Sequence, residues 1–121
     1  MYRSEFTDDA LEDVRRLPKN VRNRLKQEFK TKIHRDPVGC SEPLSALLEG
    51  FRSFHFGEYR VVYKVFEDIQ VVAVVGVGKK DRGHRAEVYE QLENLAKTGE
   101  LAAAVLDVYR SLGSKGSSSK G

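Results

Sequence analysis

Hydrophobic positions change period several times along the chain, and each change marks an element. Ala10, Leu11, Val14 and Leu17 follow helical spacing, with Thr7, Asp8 or Asp9 available as N-cap. Pro18 stops that helix and opens the next. Val21, Leu25, Phe29 and Ile33 recur every fourth residue and predict a second helix from Asn20 to His34. Its other face holds Arg22, Arg24, Lys26, Lys30 and Lys32. A tight turn between the two makes an antiparallel helical hairpin. Tyr2–Phe6, ahead of it, reads as a short strand.

Asp36–Pro43 is rich in turn formers and reads as a loop, and Leu44, Leu47 and Leu48 form a short apolar patch before Gly50. Phe51–Phe56 then alternates around Phe54 and Phe56, as a half-buried strand does. Gly57-Glu58 is a two-residue turn with glycine where φ > 0 is needed, and Tyr59–Phe66 is the next strand. Glu67-Asp68 reads as another tight turn. Ile69–Val77 is apolar almost throughout, which predicts a central strand covered on both faces. Val88, Leu92, Leu95 and Ala96 give a helix after the charged segment 79–87. Gly99 interrupts it, and Leu101, Val105, Leu106 and Tyr109 suggest a further short helix with a packing face.

These elements form an α+β fold: a small antiparallel-meander sheet with an N-terminal strand, a helical hairpin packed on it and a C-terminal helix. No internal repeat or second domain is visible. One domain is expected over 1–112, followed by a flexible Gly/Ser/Lys tail over 113–121.

Composition adds direction. The net charge of +3, on a chain of which 32% is charged, leans toward an anionic partner. Cys40 is the single cysteine, so no internal disulfide forms, and no Cys/His cluster has zinc spacing. No metal and no cofactor are expected. The first residues carry no apolar signal segment. The longest apolar run, Val71–Val77, is far shorter than the ~20 residues that span a bilayer. A cytoplasmic protein with no membrane partner is the expectation.

The Gly57-Glu58 turn fixes a register in which His55 faces Arg60, Phe54 faces Val61 and Phe56 faces Tyr59. Opposed Cβ atoms lie about 5 Å apart. Two cation-capable side chains so placed repel unless an anion lies between them, and a phosphate relieves that repulsion. The alternative is that both are solvated or compensated by Glu58 or Glu67. Lys79, Lys80, Arg82, His84 and Arg85 follow the central strand, as a solvated loop or as rigidly held cations. A strict Glu67-Asp68 turn puts Lys79 on the Arg60 face, whereas a bulge near Gly76 or Gly78 puts Lys80 there. Tyr89 starts the following helix. Val88 and Leu92 can serve the core without it, leaving its ring to stack on a base and its hydroxyl to reach a phosphate or ribose oxygen.

Leu-Glu-Gly (48–50), Gly-Glu-Tyr-Arg-Val-Val-Tyr (57–63), the valine-rich strand, Val-Gly-Lys-Lys-Asp-Arg (77–82) and Glu-Val-Tyr (87–89) occur in order and correctly spaced. On these pieces, from Tyr2 to Leu95, the chain resembles the RelE/ParE superfamily of type II toxins. The resemblance implies the RelE-like microbial RNase fold and a cognate antitoxin that masks the active surface. RelE-like members are metal-independent endoribonucleases that cut mRNA, usually on the ribosome. ParE-like members inhibit DNA gyrase and lack the catalytic set.

The resemblance also implies roles. Arg60 matches the arginine that stabilises the scissile phosphate, and Lys80 the basic residue that serves as general acid or phosphate contact. Tyr89 matches the tyrosine that stacks on the substrate and orients the attacking 2′-hydroxyl. His55 falls where many nucleases carry a basic residue, and is assigned as base. Ser53 occupies the companion basic position, which is a departure, and Arg52 beside it has the opposite parity. Arg52, Lys79, Arg82, His84 and Arg85 are the expected RNA contacts. The expected reaction is attack of a ribose 2′-hydroxyl on the neighbouring phosphorus, giving a 2′,3′-cyclic phosphate and a 5′-hydroxyl. His55, Tyr89 and the lysines favour this branch. A gyrase inhibitor, suggested by the loss of charge at Ser53, and an inert antitoxin-binding relative stay open.

Overall fold

The computed structural model describes residues 1–80 and 87–120, with side chains as far as Leu112 in the last helix. Five strands, β1 (Arg3–Phe6), β2 (Glu42–Pro43), β3 (Arg52–Phe56), β4 (Tyr59–Phe66) and β5 (Val71–Lys79), form one sheet in the order β1-β5-β4-β3-β2. The chain from β2 to β5 is an antiparallel meander, and β1 closes the far side by pairing parallel with β5.

Helices cover both faces. Helix α1 (Asp8–Arg16) starts at Thr7, whose hydroxyl accepts from the Ala10 N–H at 3.2 Å. Helix α2 (Lys19–Glu28) runs into a π turn over Phe29–Ile33. Their Ala10, Val21, Leu25, Phe29 and Ile33 pack on Phe54, Val61, Tyr63, Val72 and Val74. On the opposite face, Val88 and Leu92 of α3 (Glu87–Thr98) and Leu101 and Val105 of α4 (Glu100–Lys120) cover Phe51, Val62 and Val75. The interior strand β5 therefore meets apolar groups on both sides, which is why Val71–Val75 carry no polar residue.

Three details differ from the pattern of the sequence. Glu42–Pro43 pairs with Arg52 and Ser53 as a two-residue edge strand inside the stretch read as a loop; two residues show no period, and Pro43 is tolerated because the strand is at the edge. The β4–β5 connection spans residues 67–70, with Gln70 at φ +52°, so β5 begins at Val71. Helix α4 is long, and continues over the Gly/Ser/Lys stretch read as a flexible tail. Leu101 and Val105 pack its first turns onto the core. Gly99, at φ +82°, separates α3 from α4. Among the described residues no helix is long and apolar enough to cross a membrane.

Candidate active site

The β3–β4 hairpin sets the first two groups. Gly57 takes φ +55° with nothing near its missing Cβ, so its role is conformational rather than steric. The resulting register places His55 directly opposite Arg60. Both lie on the face that α3 and α4 cover elsewhere, since Val62 and Phe51 share their parity. Among the described residues helix cover stops short of this end of the sheet, and His55 is exposed.

A bulge decides the third group. Val62 pairs with Gly76 but Tyr63 with Val74, which leaves Val75 as the extra residue of β5. Beyond it Arg60 pairs with Gly78 and Tyr59 with Lys79. Lys80 continues the ladder, its N–H donating to the Glu58 carbonyl at 2.6 Å, and by parity shares the Arg60 face. Lys79 takes the other face, where its Nζ meets a Glu58 carboxylate oxygen at 3.4 Å.

The fourth group depends on two bare positions. A Cβ on Gly76 would come within 2.8 Å of Val88 Cγ2, and one on Gly78 within 2.9 Å of Val88 Cβ. Their glycines let α3 lie close against β5, and Tyr89 follows Val88 into the site. Its hydroxyl forms a 2.5 Å hydrogen bond with Ser53 Oγ, on the same face of β3 as His55. Ser53 is 2% exposed, so the departure from a basic residue is a buried partner for the tyrosine.

Electrostatics tie the cluster together. Partial desolvation of a ring that is still exposed, and then the positive charges of Arg60 and Lys80, push His55 below the usual imidazole value, while Glu42 opposes them. The neutral ring is thus favoured. Glu42, opposite Ser53 on β2, is an acidic neighbour that sequence reading left in a loop. Arg60 is held from its own hairpin, its guanidinium donating to the Tyr59 carbonyl at 3.0 Å and the Gly57 carbonyl at 3.3 Å. The arrangement joins an imidazole biased toward its neutral form, a guanidinium, an ammonium and a phenol on one face of the sheet.

Arg52 is not part of it. Its guanidinium lies on the opposite face and donates to Ser41 Oγ at 2.7 Å, to the Ser41 carbonyl at 2.9 Å and to the Val38 carbonyl at 3.1 Å, pinning the loop before β2. Arg82, His84 and Arg85 lie outside the described residues. Among the described residues no three His, Cys, Asp or Glu side chains gather as metal ligands would.

The family model described as ParE toxin of type II toxin-antitoxin system, parDE, matches residues 5–89. The chain belongs to the RelE/ParE family of type II toxins. This RelE/ParE toxin is 30% identical over 91 residues to the mRNA interferase toxin RelE of Escherichia coli K12, across 74% of its own length and 92% of that protein. The structure of the isolated E. coli RelE toxin overlays with a TM-score of 0.58 at 28% identity, covering 75% of this toxin and 94% of that chain. A chain of the RelBE2 toxin–antitoxin complex from Mycobacterium tuberculosis gives a TM-score of 0.62 at 25% identity, over 65% of this toxin and 98% of that chain.

Proposed function

We propose that this toxin is a metal-independent endoribonuclease that cuts mRNA on the ribosome in the cytoplasm, and that a cognate antitoxin holds it in check. The observation that carries the reading is the bulge at Val75, which sets Lys80 beside the His55–Arg60 pair, with Tyr89 anchored next to them. The name of the E. coli relative, an mRNA interferase, supports the same branch.

In the reaction, neutral His55 takes the proton of the ribose 2′-hydroxyl. The freed oxygen attacks phosphorus, and a 2′,3′-cyclic phosphate forms as the bond to the 5′-oxygen breaks. Arg60 stabilises the charge on the nonbridging oxygens through its planar fork. Lys80 neutralises or protonates the departing 5′-oxygen. The Tyr89 ring stacks on the base beside the scissile bond and so sets the 2′-hydroxyl. Lys79, on the far side of the hairpin edge, contacts RNA leading away from the cut; Arg82, His84 and Arg85 are further RNA contacts in this reading. Arg52 serves through the loop it pins. DNA lacks the nucleophile and is not cut.

The test is expression without antitoxin. Wild type stalls translation and leaves cleaved messages ending in cyclic phosphate. Arg60→Ala, which removes one positioned donor, lowers the cleavage rate about 10²–10³-fold. Full cleavage by a correctly folded Arg60→Ala chain would overturn the assignment. One observation favours a second reading: the matching family model bears the ParE name. A gyrase inhibitor induces DNA damage and leaves mRNA intact, so the same cultures separate the two.

A further inference from the structure

Helix α2 carries charge that the candidate site does not use. Lys19, Arg22 and Lys26 of α2, and Lys30 of the π turn that continues it, stand three or four residues apart, and such positions are neighbours on a helix surface. They form one ridge about 17 Å long. Arg22 is half-buried and the other three are exposed. None of the four makes an ion pair among the described residues, whereas nearby Lys32 is held by Glu28 at 3.0 Å. The apolar residues of the helix, Val21 and Leu25, are spent on the core beneath.

We propose that this ridge is a second RNA-docking surface, which grips the phosphodiester backbone without reading sequence. The proposal rests on the reading of the chain as an RNA-acting toxin. Charge without apolar anchors is what backbone contact needs, and what the core of a protein interface lacks. No aromatic ring stands in the ridge to stack on a base. Helix α2 packs on the sheet face opposite His55, Arg60 and Lys80, so the ridge holds a different stretch of RNA from the one being cut. It sets where the toxin sits on a large RNA, and the site sets where it cuts.

The experiment measures binding of the full chain to a labelled 2′-O-methyl RNA hairpin, which has no free 2′-hydroxyl, as a function of salt. A ridge variant carries Lys19→Gln, Arg22→Gln, Lys26→Gln and Lys30→Gln. A control variant loses the same four charges elsewhere, at exposed Arg3, Arg15, Lys97 and Arg110. Both are first shown to melt as wild type does. Each neutralised phosphate contributes about 0.7–0.9 to the slope of log K against log [salt], so the ridge variant is expected to lose about 3 and the control less than 1. Equal losses in the two variants, or an unchanged slope in the ridge variant, would overturn the proposal. So would competition by polyglutamate as effective as RNA of equal charge, since the ridge would then fit an acidic protein. A wild-type chain that never cuts RNA but shows the ridge-dependent slope retains this proposal and removes the nuclease reading.

Discussion

Ser53 Oγ and Tyr89 Oη lie 2.5 Å apart, joining the middle of β3 to the first turn of α3. Ser53 is closed off from solvent, so this bond satisfies a hydroxyl that has no water to turn to. Tyr89→Phe leaves it unpaired, and chemical denaturation should show a loss of about 1–3 kcal/mol. Cleavage should fall too, because the ring loses the contact that fixes its position. Ser53→Lys restores a basic residue in sequence but puts an ammonium where a small group fits. It should destabilise the chain and not raise activity. A more active Ser53→Lys toxin would mean that Tyr89 does not need this anchor.

Close approach of α3 is a second requirement. Gly78→Ala brings a methyl group to 2.9 Å from Val88 Cβ, an atom fixed to the helix backbone, so the helix itself must move. Overpacking of this kind costs about 1–3 kcal/mol. Tyr89 moves with the helix, and cleavage should fall at least tenfold in molecules that remain folded. The contrast is Gly57→Ala, whose methyl group meets nothing but whose φ of +55° is strained for an L residue. Its cost should be about 1–2 kcal/mol from the backbone alone. Equal tolerance of both substitutions would remove the steric argument for Gly78.

The pH dependence follows from His55. Its proton leaves more readily than that of an ordinary imidazole, first because of partial desolvation and then because of Arg60 and Lys80. The base form therefore persists below the usual value of 6.5, and kcat/KM should fall only on the acid side of it. Glu42 acts in the opposite direction, so Glu42→Gln should move the acid limb to lower pH, and Lys80→Gln should move it higher. Rates on ribosome-bound message across pH would check both signs. Limbs that stay fixed in both variants would show that His55 is not the base.

Asp13 offers a prediction away from the site. Its carboxylate accepts from the Val77 N–H at 3.0 Å, on the β5 edge past the end of β1, and burial raises its pKa above the ordinary 3.8. The folded state therefore holds the proton to higher pH than the unfolded chain does. Stability falls as pH rises from 3.8 through the folded value. Asp13→Asn keeps an acceptor for Val77 without the desolvated charge, and should be neutral or stabilising at pH 7. Asp13→Ala leaves the amide unpaired, and should cost about 1–3 kcal/mol in the same unfolding assay.

Local signals were enough for the parts of the site set by neighbours in sequence. Gly57-Glu58 allows one tight turn, and that turn alone puts His55 opposite Arg60. The choice between Lys79 and Lys80 stayed open in the sequence, because it depends on whether Val75 loops out of the apolar run Val71–Val77. Gly76 beside it made a bulge available, as the sequence allowed, but a glycine permits a bulge without requiring one. Glu42 was missed for a related reason: its two-residue strand exists only because Arg52 and Ser53 are there to pair with it. Ser53 reads as a lost charge in the sequence and as a buried hydrogen-bond partner in three dimensions. The partner comes from a helix 36 residues away.

Helix α4 lies beyond residues 5–89, the part that matches the family, yet its first turns complete the core over β3, β4 and β5. Leu101 is 3% exposed, whereas Leu106, five residues on, is 45% exposed at the rim of a groove against the sheet. If α4 is part of the folded unit, Leu101→Ala creates a cavity and costs about 2–5 kcal/mol. Leu106→Ala should stay within about 0.5 kcal/mol of wild type. Both are read from urea unfolding of the full chain, with tyrosine fluorescence as probe. The same cavity sits under α3, so Leu101→Ala should also weaken cleavage through Tyr89 while Leu106→Ala does not. Equal, small effects of the two would mean that α4 rides on the sheet without supporting it, and that α3 alone holds Tyr89 in place.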